Sequence, residues 1–172
     1  MTGKEIKTAA EAYIGETMDD TDALEGINAA LRWLNDNGLV YDSTEIAAEA
    51  KTWTSLPVNF ITVSEVTNSA GELYTDYRQR VGQIIFAEAD TYTVFGRRVV
   101  AQLANLNETP ELHLAFHGSL VDHLIGWWKL KQDPDDADGD YHVKKFERDA
   151  MRTSLTLRSS RGPATATITV VR

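Results

Sequence analysis

Three histidines, His113, His117 and His123, with Glu111 and Asp122 close by, are the residue types from which a zinc site or a metal-assisted hydrolase would be built. The four-residue step from His113 to His117 would put both imidazoles on one helix face. The metalloprotease pattern, however, needs a glutamate directly after the first histidine on a continuous helix, and Leu114 stands there, close to where the helix begins. His117 is better placed to bond a backbone group or to pack under Trp127 or Trp128. The second chemistry-bearing run, Asp133-Pro-Asp-Asp-Ala-Asp-Gly-Asp140, invites comparison with a calcium loop. Registered on Gly139, it would carry Pro134 at the first ligand position and Lys145 at the last, where a bidentate glutamate belongs, so the register fails. A solvated loop between helices, with Asp138 or Asp140 capping the second, accounts for the run. Gly-x-Ser-x-Gly, a phosphate-cradling glycine loop and paired carboxylates in a catalytic context do not occur. The reading is non-enzymatic: no catalytic residue, metal or cofactor is assigned.

Periodicity gives the elements that position these residues. Thr2-Gly-Lys-Glu5 has capping-box spacing, and Ile6, Ala10, Tyr13 and Ile14 then share a helical face. A second helix follows Asp19, Asp20 and Asp22, whose charges suit a helix N-terminus, and carries Leu24, Ile27, Leu31 and Leu34. Residues 45–55 mix helix-forming Glu45-Ile-Ala-Ala-Glu-Ala-Lys51 with strand-favouring Thr52-Trp-Thr-Ser55 and are read as extended. Ile61–Val66 alternates, Asn68-Ser-Ala-Gly71 is a turn before Glu72–Tyr74, and Gly82–Glu88 and Tyr92–Phe95 continue the β pattern. Gly96 is expected to turn the chain into Arg97–Leu103. A long helix then carries Leu120, Val121, Leu124 and Trp128, and a fourth presents Val143, Phe146, Ala150 and Ser154. The expected fold class is α+β. Four helices, two N-terminal at about 3–14 and 22–37 and two C-terminal at about 115–131 and 141–157, are expected with a small antiparallel sheet inserted over about 45–104. Residues 1–157 form a single domain and 158–172 an extended C-terminal arm.

Length and composition, 172 residues with 42% hydrophobic, suit one domain that needs no cross-links. The absence of cysteine excludes disulfides, thiolate metal sites and thiol catalysis, and is compatible with a reducing cytoplasm. No signal-peptide core or membrane span is visible, so a soluble protein without a membrane partner is expected. A net charge of −9 repels nucleic acid unless cations segregate, and they segregate only weakly. They fall at Arg78, Arg80, Arg97 and Arg98, at Lys144, Lys145, Arg148 and Arg152, and at Arg158, Arg161 and Arg172. A sequence-reading DNA binder is not expected, whereas contact with DNA passing through an assembly stays open. The four tryptophans, Trp33, Trp53, Trp127 and Trp128, are assigned to core or subunit interface rather than to a ligand pocket.

Ser159, Ser160, Gly162 and Pro163 break the last helix, and Ala164-Thr-Ala-Thr-Ile-Thr-Val-Val-Arg172 then alternates as a terminal strand. Its backbone groups need a partner, which is either this chain's own sheet or an edge on a neighbouring subunit or another protein.

Several pieces occur in a recognisable order. A helical hairpin carries Ile27-Asn-Ala-Ala-Leu31, and Trp53-Thr-Ser-Leu-Pro-Val-Asn-Phe-Ile-Thr-Val63 and Tyr92-Thr-Val-Phe-Gly96 follow. Phe116-His117-Gly-Ser-Leu120 then opens an aromatic-rich helix after Pro110-Glu111. Across about residues 3–157 the chain resembles the head-to-tail adaptor (connector) proteins of tailed bacteriophages. It departs from their pattern at Asn59, where an aspartate is common, and between Val99 and Pro110. The resemblance implies a non-enzymatic structural protein of the virion. Such a protein forms a ring, usually a dodecamer, at the head–tail interface, after folding in the host cytoplasm. Its partners would be further copies of itself, the portal protein, and a stopper or tail protein, with genomic DNA passing non-specifically through the ring. By the same resemblance Leu155, Leu157, Arg158, Ile168, Val170, Val171 and Arg172 would dock on the portal. The alternative is a monomeric soluble binding or regulatory module with no virion role.

Overall fold

The computed structural model describes residues 1–159 of the chain, so the expected terminal strand, with Ile168, Val170, Val171 and Arg172, lies outside the described residues. Among the described residues the fold is α+β, with four helices and two small antiparallel sheets. In order these are α1 (Gly3–Ile14), α2 (Asp20–Asp36), β1 (Tyr41–Ala48), β2 (Trp53–Ser55), β3 (Phe60–Thr67), β4 (Tyr77–Arg80), β5 (Gln83–Phe86) and β6 (Asp90–Arg98). A short 3-10 turn (Leu114–Phe116), α3 (His117–Gln132) and α4 (Ala137–Ser159) complete them. The chain divides into a helical unit, Met1–Val40 with Arg97–Ser154, and a β unit, Tyr41–Gly96, which also takes in the last turn of α4.

In the helical unit the local signals act as the residue types dictate. Thr2 accepts from the Glu5 N–H at 3.2 Å while Glu5 accepts from the Thr2 N–H at 2.8 Å, closing the expected capping box. Asp19 caps α2 through the Thr21 N–H at 2.8 Å, so the helix begins two residues before its expected start, with Asp20 and Asp22 in its first turn. α3 packs against both α1 and α2, which is why its buried surface is broad: Leu120, His123, Leu124, Ile125 and Gly126 are all buried. α4 buries His142, Phe146, Ala150 and Ser154 at four-residue steps. Each fully buried Leu or Phe here contributes about 1.5–3 kcal/mol of apolar burial.

Two expectations are corrected in this unit. α4 starts at Ala137, not 141, because Asp136 rather than Asp138 or Asp140 accepts from the Gly139 N–H, at 2.6 Å. Glycine stands at 126 because α3 and α4 approach so closely there that a Cβ would lie 2.7 Å from the Gly139 carbonyl oxygen. Residues 99–103 form no strand; asparagine side chains of α2 satisfy their backbone instead. Asn35 bonds both the N–H and the C=O of Val100, at 2.9 Å each, and Asn28 does the same for Leu103 at 2.8 and 3.0 Å.

The β unit holds two three-stranded sheets, ordered β1-β6-β3 and β2-β5-β4, where one had been expected. Both line one core of Ile46, Leu56, Phe60, Val66, Ile84, Phe86, Tyr92 and Val94. Phe86 and Tyr92 stack with centroids 3.9 Å apart, and the Tyr92 hydroxyl donates to the Glu88 carbonyl at 3.0 Å. Gly96 does not turn the chain. It lies inside β6, where a Cβ would meet the Thr62 carbonyl oxygen of β3 at 2.1 Å, so the glycine serves close strand approach. Asn68–Gly71 does turn, with Gly71 at φ 78°, and the segment after it makes a single bridge, Thr67 to Leu73.

Candidate functional site

The three histidines weighed as candidates for a zinc site are engaged separately. His113 caps the 3-10 turn, its Nδ1 accepting from the Ala115 N–H at 3.2 Å. His117 is buried; its Nε2–H donates to the Leu112 carbonyl at 3.3 Å, and its Nδ1 lies 2.7 Å from the Met1 amino group. Burial, with the nearby amino group, lowers its pKa from the usual value. His123 stands edge-on to Phe146 with centroids 4.8 Å apart, and burial pushes its pKa down to about 4. Its Nδ1 has no hydrogen-bond partner among the described residues. No group of three histidine, aspartate or glutamate side chains among the described residues is placed to hold a metal ion.

The geometry reveals a polar cluster that sequence reading missed. Asp122 of α3, largely buried, accepts from Lys145 Nζ at 2.7 and 2.8 Å and from His142 Nδ1 at 3.0 Å. A carboxylate can only accept here, so Nδ1 carries the imidazole proton. The hydrogen bond that Lys145 donates to Asp122 is the main cause that raises the Lys145 pKa. His142 Nε2 is buried, without a hydrogen-bond partner among the described residues and 3.9 Å from Asp138 Oδ1, and the cluster ties α4 to α3. The spacing of Asp122, His142 and Lys145 carries no local signal, because the pairing joins different helices.

The tryptophans separate by surroundings. Trp33 is half-buried, edge-on to Phe146 at 5.0 Å, and Trp127 is half-buried with Lys131 Nζ 5.0 Å from its ring centroid. Trp128 is half-buried, with its Nε1 inaccessible and unpartnered among the described residues. Trp53 is exposed on β2, and the Arg80 guanidinium covers its ring at 4.2 Å.

Of the residues assigned to portal docking, Leu155, Leu157 and Arg158 are helical, since α4 continues to Ser159 and the arm does not begin at 158. The last turn stays helical because Ser159 does not break it and Gly162 and Pro163 come later. Arg158 lies over the Tyr41 ring at 4.7 Å, Leu157 is half-buried, and Leu155 is exposed. Leu155 belongs to a stripe. Tyr141, Lys144, Arg148, Met151 and Leu155 recur at three- and four-residue steps on one face of α4. Tyr141, Met151 and Leu155 are 54%, 46% and 61% exposed. Among the described residues these three are the exposed large apolar side chains of α4.

Compared with models of known protein families and with curated proteins, the chain finds no match. No helix among the described residues is long and apolar enough to cross a membrane.

Proposed function

We propose that this chain is a structural virion protein that assembles into a ring, joins the portal of a tailed phage to its tail, and lines the passage for the genome. The observation that carries this reading is the exposed stripe of α4. Isolated exposed apolar residues are ordinary, but three large ones on one helix face, set among Lys144 and Arg148, form the pattern by which a helix docks in a partner's groove. The helix that bears them leads directly into the C-terminal segment that the sequence resemblance assigns to the portal. A closed ring further requires two different complementary surfaces on every subunit, beside the one that meets the portal. The net charge of −9 would discourage DNA from adhering to the wall of the passage. In this reading the portal lies on one side, a stopper or tail protein on the other, and the working location is the head–tail interface.

The test mixes the purified portal of the same phage with the full chain and with a chain ending at Leu157. The full chain should decorate the portal as a ring visible in class averages, and truncation should weaken binding roughly tenfold or more. A full chain that ignores the portal, with Arg158 and Arg161 protected from protease, would speak for a monomeric binding module instead.

A further inference from the structure

Between Tyr41 and Gly96 the chain carries eight carboxylates and three cations; two of the cations, Arg78 and Arg80, lie on β4 and the third, Lys51, in the turn before β2. In the register of β2, β5 and β4, Trp53 lies opposite Ile85 and Ile85 opposite Arg78; two residues along, Ser55 lies opposite Gln83 and Gln83 opposite Arg80. Directly opposed residues share a face, and the alternate row, Thr54, Ile84 and Gln79, points to the core through fully buried Ile84. The outward face is therefore Trp53, Ile85, Arg78, Ser55, Gln83 and Arg80. Lys51 joins it, lining with Arg78, Ile85 and Asp76 a shallow cleft of about 240 Å³. Lys51 is the one non-glycine residue described in the left-handed region, at φ 58°, and its N–H is tied to the Phe86 carbonyl at 2.8 Å.

None of these cations has a carboxylate partner among the described residues, although acids outnumber them in the same unit. Arg80 is instead held in place, its Nε donating to Gln83 Oε1 at 2.7 Å and its guanidinium lying on Trp53. Beside this face, Val58 and Val81 are fully exposed at loop tips brought together by the Leu56 N–H bond to the Gly82 carbonyl at 2.9 Å. An exposed tryptophan, a preorganised arginine, unpaired cations and an apolar rim are the composition of a binding hot spot.

We propose that this sheet face docks a second copy of this chain through the aspartates of its α3–α4 loop, which deepens the ring reading and rests on it. Charge complementarity selects the occupant. Asp133 and Asp135 are exposed, and neither forms an ion pair among the described residues. They are also prearranged, with Asp133 Oδ1 accepting from the Asp135 N–H at 3.1 Å and Pro134 between them. Two carboxylates on one copy thus face Arg78 and Arg80 on the next, a head-to-tail contact of the kind that closes rings. Nucleic acid fits less well, because three cations sit on a chain of net charge −9.

Sedimentation velocity of the full chain up to millimolar protein, at low and high salt, tests the contact. Self-association should weaken as salt rises, weaken roughly tenfold or more in Arg78→Glu/Arg80→Glu and in Asp133→Lys/Asp135→Lys, and return when the two variants are mixed. Circular dichroism of each variant checks that it is folded, and Trp53→Ala, which leaves the charges intact, should weaken association as well. Four outcomes overturn the proposal: a chain that stays monomeric, association indifferent to both reversals, variants that do not complement each other, or Arg78-dependent binding of a single-stranded oligonucleotide without self-association. A monomer that still decorates the portal would remove this contact and leave the ring reading intact.

Discussion

Asn28 and Leu103, 75 residues apart, exchange two hydrogen bonds: the Asn28 amide donates to the Leu103 carbonyl and its oxygen accepts the Leu103 N–H. One turn pair along α2, Asn35 repeats the arrangement with Val100. A side-chain amide has the same donor and acceptor as a peptide group, so α2 offers the extended segment what a neighbouring strand would.

Replacing Asn28 with Ala strands both backbone groups in a buried site and should cost roughly 2–4 kcal/mol. Asn35→Ala, at a half-buried position, should cost less. Urea unfolding checks this: the midpoint should fall in that order with little change in slope.

His123 makes stability depend on pH. Its folded pKa, about 4, lies below the ordinary 6.5, so the folded chain binds fewer protons than the unfolded chain between those values. Stability is therefore full above pH 6.5 and is lost as pH falls towards 4, by about 3 kcal/mol at 1.4 kcal/mol per unit. His117, also lowered, adds to the loss in the same direction. His123→Phe should flatten most of that decline in a series of thermal melts from neutral to acid pH.

Asp122→Asn leaves the Lys145 ammonium without its carboxylate and weakens the hold on His142. A loss of roughly 1–4 kcal/mol is expected, placed between an exposed pair and a buried one. A double-mutant cycle with Lys145→Met should show coupling, whereas additive effects would mean that the contact contributes nothing.

Gly96→Ala drives a methyl group into the Thr62 carbonyl oxygen, which is backbone and cannot rotate away. β3 and β6 would have to separate, at a cost of roughly 2 kcal/mol or more. Hydrogen exchange should show faster opening in β3 and β6 and unchanged protection in α2 and α3.

What the sequence disclosed was whatever is decided within a few residues. The Thr2–Glu5 capping box, the Ile27, Leu31 and Leu34 stripe, the Phe146, Ala150 and Ser154 face and the Asn68–Gly71 turn all depend on local spacing. The misreadings have causes distant in the chain. Gly96 resembles a turn residue because the Thr62 carbonyl that demands it belongs to another strand. The aspartate run hides a helix start for a different reason: five aspartates compete as caps, and Asp136 is the one that accepts from the Gly139 N–H. The surface sites follow the same division. The tryptophans could be named from composition and Leu155 only through the resemblance, but the stripe on α4 and the exposure of Trp53 depend on which faces the neighbouring elements leave open.

Native mass spectrometry of the full chain mixed with its portal tests ring assembly most directly. The expected result is one discrete species with a fixed number of copies per portal ring, lost in a folded Met151→Asp/Leu155→Asp variant. A chain that remains monomeric beside the portal, or a variant that assembles as well as the parent, would contradict it.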